Sequence, residues 1–187
     1  GRLLEAAAAA TVVVVFAELF SKDRVFDTGD DEANYQGNPL LQPVPPGGLW
    51  QRTADIVAAD SIIGVWEPAA LLLKLGLAEL FGLQARTFTG TGVVLHSVSC
   101  VLAARVGVEA HQLFALASGG APPDSVGTVS AWHALAAAAL LGIHPLRVEP
   151  LAWASALPYH FATLFALLAG ACHLCHRAAR LPATAPS

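Results

Sequence analysis

The chain has no methionine and little charge. Only 13% of its 187 residues are Asp, Glu, Lys or Arg, against about 25% in soluble domains. With 55% hydrophobic residues and a mean hydropathy of +0.57, that deficit argues against a large soluble core and for a chain embedded in a bilayer. The absence of Met, with Gly1 at the start, reads as a processed product or a fragment. Cys100, Cys172 and Cys175 are the only cysteines, too few for a disulfide framework, and they say little about compartment. Ten basic residues against fourteen acidic ones give a net charge of -4, which argues against a nucleic-acid partner. What is abundant is Ala, Leu and Gly, a composition suited to close helix packing in lipid.

Hydrophobic runs divide the chain into four expected spans, residues 3–20, 88–106, 126–143 and 150–172, each close to the roughly 20 residues a bilayer requires. Between the first two lies a long extramembrane segment, 21–87. Its first half is acidic and turn-rich, with Asp27, Asp30, Asp31 and Glu32 followed by Pro39, Pro43, Pro45 and Pro46; structureless loops of such length are usually functional or disordered. In its second half Glu67, Lys74 and Glu79 interrupt the apolar residues. Helices lying along the interface are expected there, because these charges would otherwise sit in hydrocarbon. The Gly119-Gly120-Ala121-Pro122-Pro123 run is a loop. The fold class expected is therefore all-α integral membrane, a single module over 1–187 with interfacial helices in the first loop. Four spans place both termini on one side. Arg105, Arg177 and Arg180 lie on that side, which makes it the cytoplasmic, stromal or matrix one. The acidic loop and the turn around His144 then face the opposite compartment together.

Three clusters could carry chemistry. Adjacent carboxylates at Asp30 and Asp31 can hold a divalent metal or take a proton from a hydroxyl; a solvated acidic turn is the alternative. The turn containing His144, Arg147 and Glu149 sits between the third and fourth spans, where buried charge needs a partner or a function. Glu149 near a helix N-terminus is also favourable to the helix dipole alone. Down the fourth span, Glu149, Trp153, Ala156, His160 and Thr163 share one face, turned to protein or a cavity, with a bend expected at Pro158. Finally, Cys172-His173-Leu174-Cys175-His176 matches the C-x-x-C-H pattern of covalent haem. It could also be a metal site or an incidental interfacial cluster, and no Met is present as a distal ligand. His96, His111 and His133 stand singly, as packing residues or as ligands to a chlorophyll magnesium.

With these residues in view, the chain resembles the N-terminal membrane region of the GT-C type glycosyltransferases, closest to the transmembrane O-mannosyltransferases with tetratricopeptide repeats and their bacterial relatives. Three blocks carry the likeness over roughly residues 10–175. Asp30-Asp31 is followed by Asn38-Pro39 and then Gly48-Leu49-Trp50. Glu79-Leu80-Phe81-Gly82-Leu83 is followed by Leu95-His96-Ser97-Val98. Ile143-His144-Pro145-Leu146-Arg147-Val148-Glu149-Pro150-Leu151-Ala152-Trp153 is the third block. The resemblance implies a polyprenyl-phosphate sugar as donor, Asp30, Asp31 and Glu149 as catalytic residues, and a metal, if one is used, at Asp30 and Asp31. His144, Arg147, Trp153 and His160 would line the donor cavity, Arg147 meeting the phosphate.

Some positions depart from the family pattern. Val65-Trp66-Glu67-Pro68 has a glutamate where the family has a cation before proline, and Ala156-Leu157-Pro158-Tyr159-His160 stands where the family is charged. With fewer spans as well, the expectation is a transferase-like module incomplete as a catalyst, in the endoplasmic reticulum or a bacterial inner membrane. The alternative is a non-catalytic structural subunit among the other membrane subunits of a respiratory or photosynthetic complex, in an organelle's energy-converting membrane.

Overall fold

A computed structural model describes residues 2–20, 25–26, 29–43, 48–58, 65–118 and 126–180, without the side chains of 2–5, 8, 117, 126–131 and 133. Asp27, the 119–123 loop, the tail beyond Arg180 and the His133 side chain fall outside it. Among the described residues the fold is all-helical. The helices are α1 (Arg2–Val15), α2 (Leu49–Ala58), α3 (Pro68–Phe81), α4 (Ala85–Ala117), α5 (Val126–Gly142), α6 (Val148–Ala152) and α7 (Leu157–Ala179), joined in places by short 3-10 or π turns.

Two stretches are long and apolar enough to cross a membrane, Ala85–Leu116 and Ala154–Ala179; the pair Ala134–Gly142 and Pro145–Ala152 makes a third if that broken helix counts as one span. The first expected span, 3–20, is interrupted. The helix stops at Val15, and a 3-10 turn, Ala17–Phe20, follows. The span expected at 88–106 is the middle of a longer helix, α4. The helix expected from Pro150 is broken: α6 ends at Ala152, Trp153 is extended (φ -97°, ψ 126°), and Ala154–Ala156 forms a 3-10 turn before α7 begins. Pro158 is the reason. Proline lacks an N–H and clashes with the carbonyl four residues back, so it belongs in a first turn. Here it opens a helix rather than bending one.

The chain divides into two compact units. The first comprises Gly1–Val15, His96–Pro145 and Ala162–Ser187. In it α1 packs on α5, and Gly142 is the close approach: a Cβ there would lie 3.1 Å from Val12 Cγ2 and 3.2 Å from Cys100 Sγ. His96 is buried, and its Nε2 donates to the Gly142 carbonyl at 3.1 Å. Ala104 on α4 meets Ala134 and Ala138 on α5, small residues that let backbones approach in lipid.

The second unit comprises Phe16–Leu95 and Leu146–Phe161. Its core is Tyr35, Leu41, Ile56, Leu71, Leu75, Phe88 and Ala154. Phe26 stacks on Tyr35 with ring centroids 4.9 Å apart, and Phe88 tilts against the same ring at 4.4 Å. Pro68 opens α3 and Gly82 (φ 75°) ends it by donating its N–H to Ala78 O. Gly92 on α4 faces the start of α7, where a Cβ would lie 3.2 Å from the His160 ring. Gly92→Val is expected to cost about 1–3 kcal/mol by overpacking, read as a lower thermal midpoint in detergent; an unchanged midpoint would show that the imidazole can move aside.

Candidate functional site

Gly29, in the left-handed region at φ 86°, turns the chain into Asp30 and Asp31. A π-helical turn, Glu32–Gln36, follows and closes where Gly37 donates its N–H to Glu32 O at 2.8 Å. Asn34 and Tyr35 on this turn are both buried. Asn38 then caps the next turn, Pro39–Leu41. Its Oδ1 accepts from Leu40 N at 2.9 Å and its Nδ2 donates to Asn34 O at 3.0 Å. The spacing between the aspartates and Asn38-Pro39 is thus one wide turn plus a helix cap, which anchors both ends of the acidic loop.

Asp31 is buried, and its Oδ1 accepts from the backbone N–H of Ser155 at 2.7 Å across 124 residues of sequence. Tyr35 repeats the tie, its hydroxyl donating to Ala154 O. The extended residue Trp153 makes this possible, because a continuous helix would commit the Ser155 N–H to its own chain. The break at Trp153 and the acidic loop are one construction.

A buried ion pair supports the loop from below. Lys74 on α3 is fully buried, and its Nζ lies 2.6 Å from Glu67 Oε1. Nζ also lies 3.4 Å from Asn34 Oδ1 and 5.2 Å from the centre of the Tyr35 ring. Two helical turns separate Glu67 from Lys74, so they share a face. Burial lowers the Lys74 pKa from its ordinary value, and the hydrogen bond and charge of Glu67 partly offset that fall. For Tyr35, burial acts with the charges of Asp31 and Glu67 to hold the phenol well above its ordinary 10.0. The phenol is therefore a donor throughout the working pH range. A raised pKa adds stability that is present below pH 10 and is lost as pH climbs through the folded-state value. In a Tyr159→Phe background Tyr35 is the one remaining tyrosine. Its phenolate absorbance is then expected only well above pH 10, together with unfolding; ionisation near pH 10 in the folded chain would contradict the burial.

Above these groups lies a cavity of about 260 Å³ lined by Asp30, Asn34, Val65, Glu67, Trp153, Ser155, Ala156, Pro158 and Tyr159. Asp30 is exposed. The walls therefore offer two carboxylates, an amide, and two partly exposed aromatic faces, Trp153 and Tyr159. Such a site can accept hydroxyl protons and pack the apolar face of a small polyhydroxylated ring.

The other expected residues lie elsewhere. Glu149 is exposed on α6 and Arg147 is half-buried on the preceding turn; neither lines the cavity. His144 belongs to the first unit and is exposed. His160 is buried, its Nε2 donating to Pro150 O at 3.1 Å, which folds the start of α7 back on α6. Cys172 and Cys175 are exposed free thiols. Among the described residues no three His, Cys, Asp or Glu side chains converge as a metal site. Asn34, Tyr35 and the Glu67–Lys74 pair were not singled out from sequence as site residues. The available signals were the seven-residue Glu–Lys spacing and a lone Tyr four residues after Asp31.

Compared with protein-family models, curated proteins and solved structures, the chain matches none.

Proposed function

We propose that the chain is a GT-C-like membrane module, incomplete by itself, that moves a sugar from a polyprenyl-phosphate donor to a hydroxyl acceptor at the cavity beside Asp30. The observation that supports this most is the bond from Ser155 N to Asp31. It joins the acidic block of the first loop, one of the three regions on which the resemblance rests, to a residue two positions after the block that ends at Trp153. In the proposed step the acceptor oxygen bonds to the sugar's anomeric carbon. The bond from that carbon to the phosphate oxygen breaks, its electron pair leaving with the polyprenyl phosphate, and Asp30 takes the acceptor proton. Asp31 positions the loop.

On this reading the chain crosses the bilayer four times, by α1, α4, α5 and α7, while α2 and α3 lie along the interface. The exposed Trp50 and Trp66 suit that level, where tryptophan is enriched. The membrane would be the endoplasmic reticulum or a bacterial inner membrane.

One observation favours a second reading, a non-catalytic subunit of a larger membrane complex. Asp31 is committed to a backbone N–H, so the aspartates could persist for the fold alone. The full chain in membranes, given a radiolabelled polyprenyl-phosphate sugar, separates the two. Labelled glycosylated product supports transfer. No transfer by the chain purified with its co-migrating subunits would sink that reading and leave the scaffolding one.

A further inference from the structure

The last turns of α7 carry a charge pattern that the transfer reading does not use. His173, His176, Arg177 and Arg180 follow one another at i, i+3, i+4 and i+7, the spacing of a single helix face. They line one open depression of about 580 Å³, the only lining residues among those described. All four are exposed. Glu109 on α4 lies on the Cys175 side instead, 3.9 Å from its Sγ. The face is therefore all nitrogen donors, two imidazoles and two guanidiniums, with no carboxylate in its wall among the described residues.

Its depth is set by the helix. The membrane-crossing stretch begins at Ala154, and about 20 residues at about 1.5 Å each cover a hydrocarbon layer of about 30 Å. Counted from Ala154, that length ends at His173, so the four residues start where hydrocarbon gives way to headgroups. The helix dipole favours cations in a last turn, but it does not select one face and does not reach back to His173. Arg matches phosphate with two parallel N–H bonds.

We infer that this face is a binding site for the phosphate headgroup of an anionic glycerophospholipid. The C-x-x-C-H string then has a different sense. Its histidines belong with the arginines that follow, and its cysteines fall beside that face.

The test uses the full chain in nanodiscs of phosphatidylcholine with and without phosphatidylglycerol, followed by native mass spectrometry of retained lipid. Wild type is expected to retain phosphatidylglycerol over phosphatidylcholine. Each arginine near an anionic surface contributes about fivefold, so Arg177→Gln/Arg180→Gln should lower retention about 30-fold, and adding His173→Gln/His176→Gln should lower it further. Arg177→Lys/Arg180→Lys should keep most of it. The four side chains are exposed, so the substitutions leave the packing intact. Equal retention of both lipids, or unchanged retention in the quadruple variant, would overturn the inference. Displacement of the lipid by millimolar inorganic phosphate would overturn the lipid as occupant and leave a soluble-anion site.

Discussion

Sugar transfer by the Asp30→Asn variant is expected to fall by about 10²–10⁴, the usual contribution of a general base, with little change in stability. Asp30 is exposed at the cavity mouth and Asn keeps its size, so the loss should fall on kcat rather than on KM. The neighbouring aspartate should respond differently. Asp31→Asn retains an oxygen that can accept from Ser155 N, whereas Asp31→Ala removes it and leaves that N–H to find another partner. If Asp31 positions the loop, Asn at 31 is mild and Ala at 31 harms folding and transfer together. If instead Asp31→Asn abolishes transfer in a well-folded chain while Asp30→Asn does not, the two roles are reversed. If neither changes transfer, the cavity is not where the chemistry happens.

The largest effect on stability is expected at Glu67. Glu67→Leu strands the Lys74 ammonium in a site with no solvent access, and breaking a buried pair from one side typically costs about 3–5 kcal/mol. The sign with pH follows from linkage. Burial already lowers the Lys74 pKa, and removing Glu67 takes away two of the three influences that raise it, leaving only the charge of Asp31. The unfolded chain then binds the proton more tightly than the folded one, so stability rises with pH from the lowered folded value toward 10.5. The Glu67→Leu defect should therefore be worst at neutral pH and shrink in alkali, before Tyr35 ionises. Glu67→Leu/Lys74→Met, with neither charge present, is expected to recover most of the loss. A double variant as unstable as the single one would mean that Lys74 is held by Asn34 and Tyr35 rather than by its ion pair.

The helical character of the chain, with helices long and apolar enough to cross a membrane, was legible from composition and from the length of the apolar runs, because both reflect the cost of placing polar groups in lipid. The long α4 and the helix over 126–142 sit where hydropathy puts them. Hydropathy did not show that the run from Pro150 is broken, since apolar residues score alike whether helical or extended. The informative residue was Pro158, whose missing N–H favours a helix start as readily as a bend. Asp30 was legible as a chemical candidate from its type and position. The pairing of Asp31 with a backbone N–H was not, because a Ser155 amide leaves no trace in side-chain identity. Lys74 was visible as a misplaced charge. Its partner is seven residues upstream, at the position where the glutamate looks like the departure from the family pattern.

The tie between Asp31 and Ser155 also bears on how the protein is made. The two groups are 124 residues apart, and at about 5–20 residues per second a ribosome takes roughly 6–25 s to cover that interval. Throughout it the acidic loop exists without the amide that holds it. The wall that Trp153, Ser155, Ala156, Pro158 and Tyr159 give the cavity is thus added late in synthesis. A nascent chain stalled before Trp153 would carry an acidic loop without the amide from which Asp31 accepts.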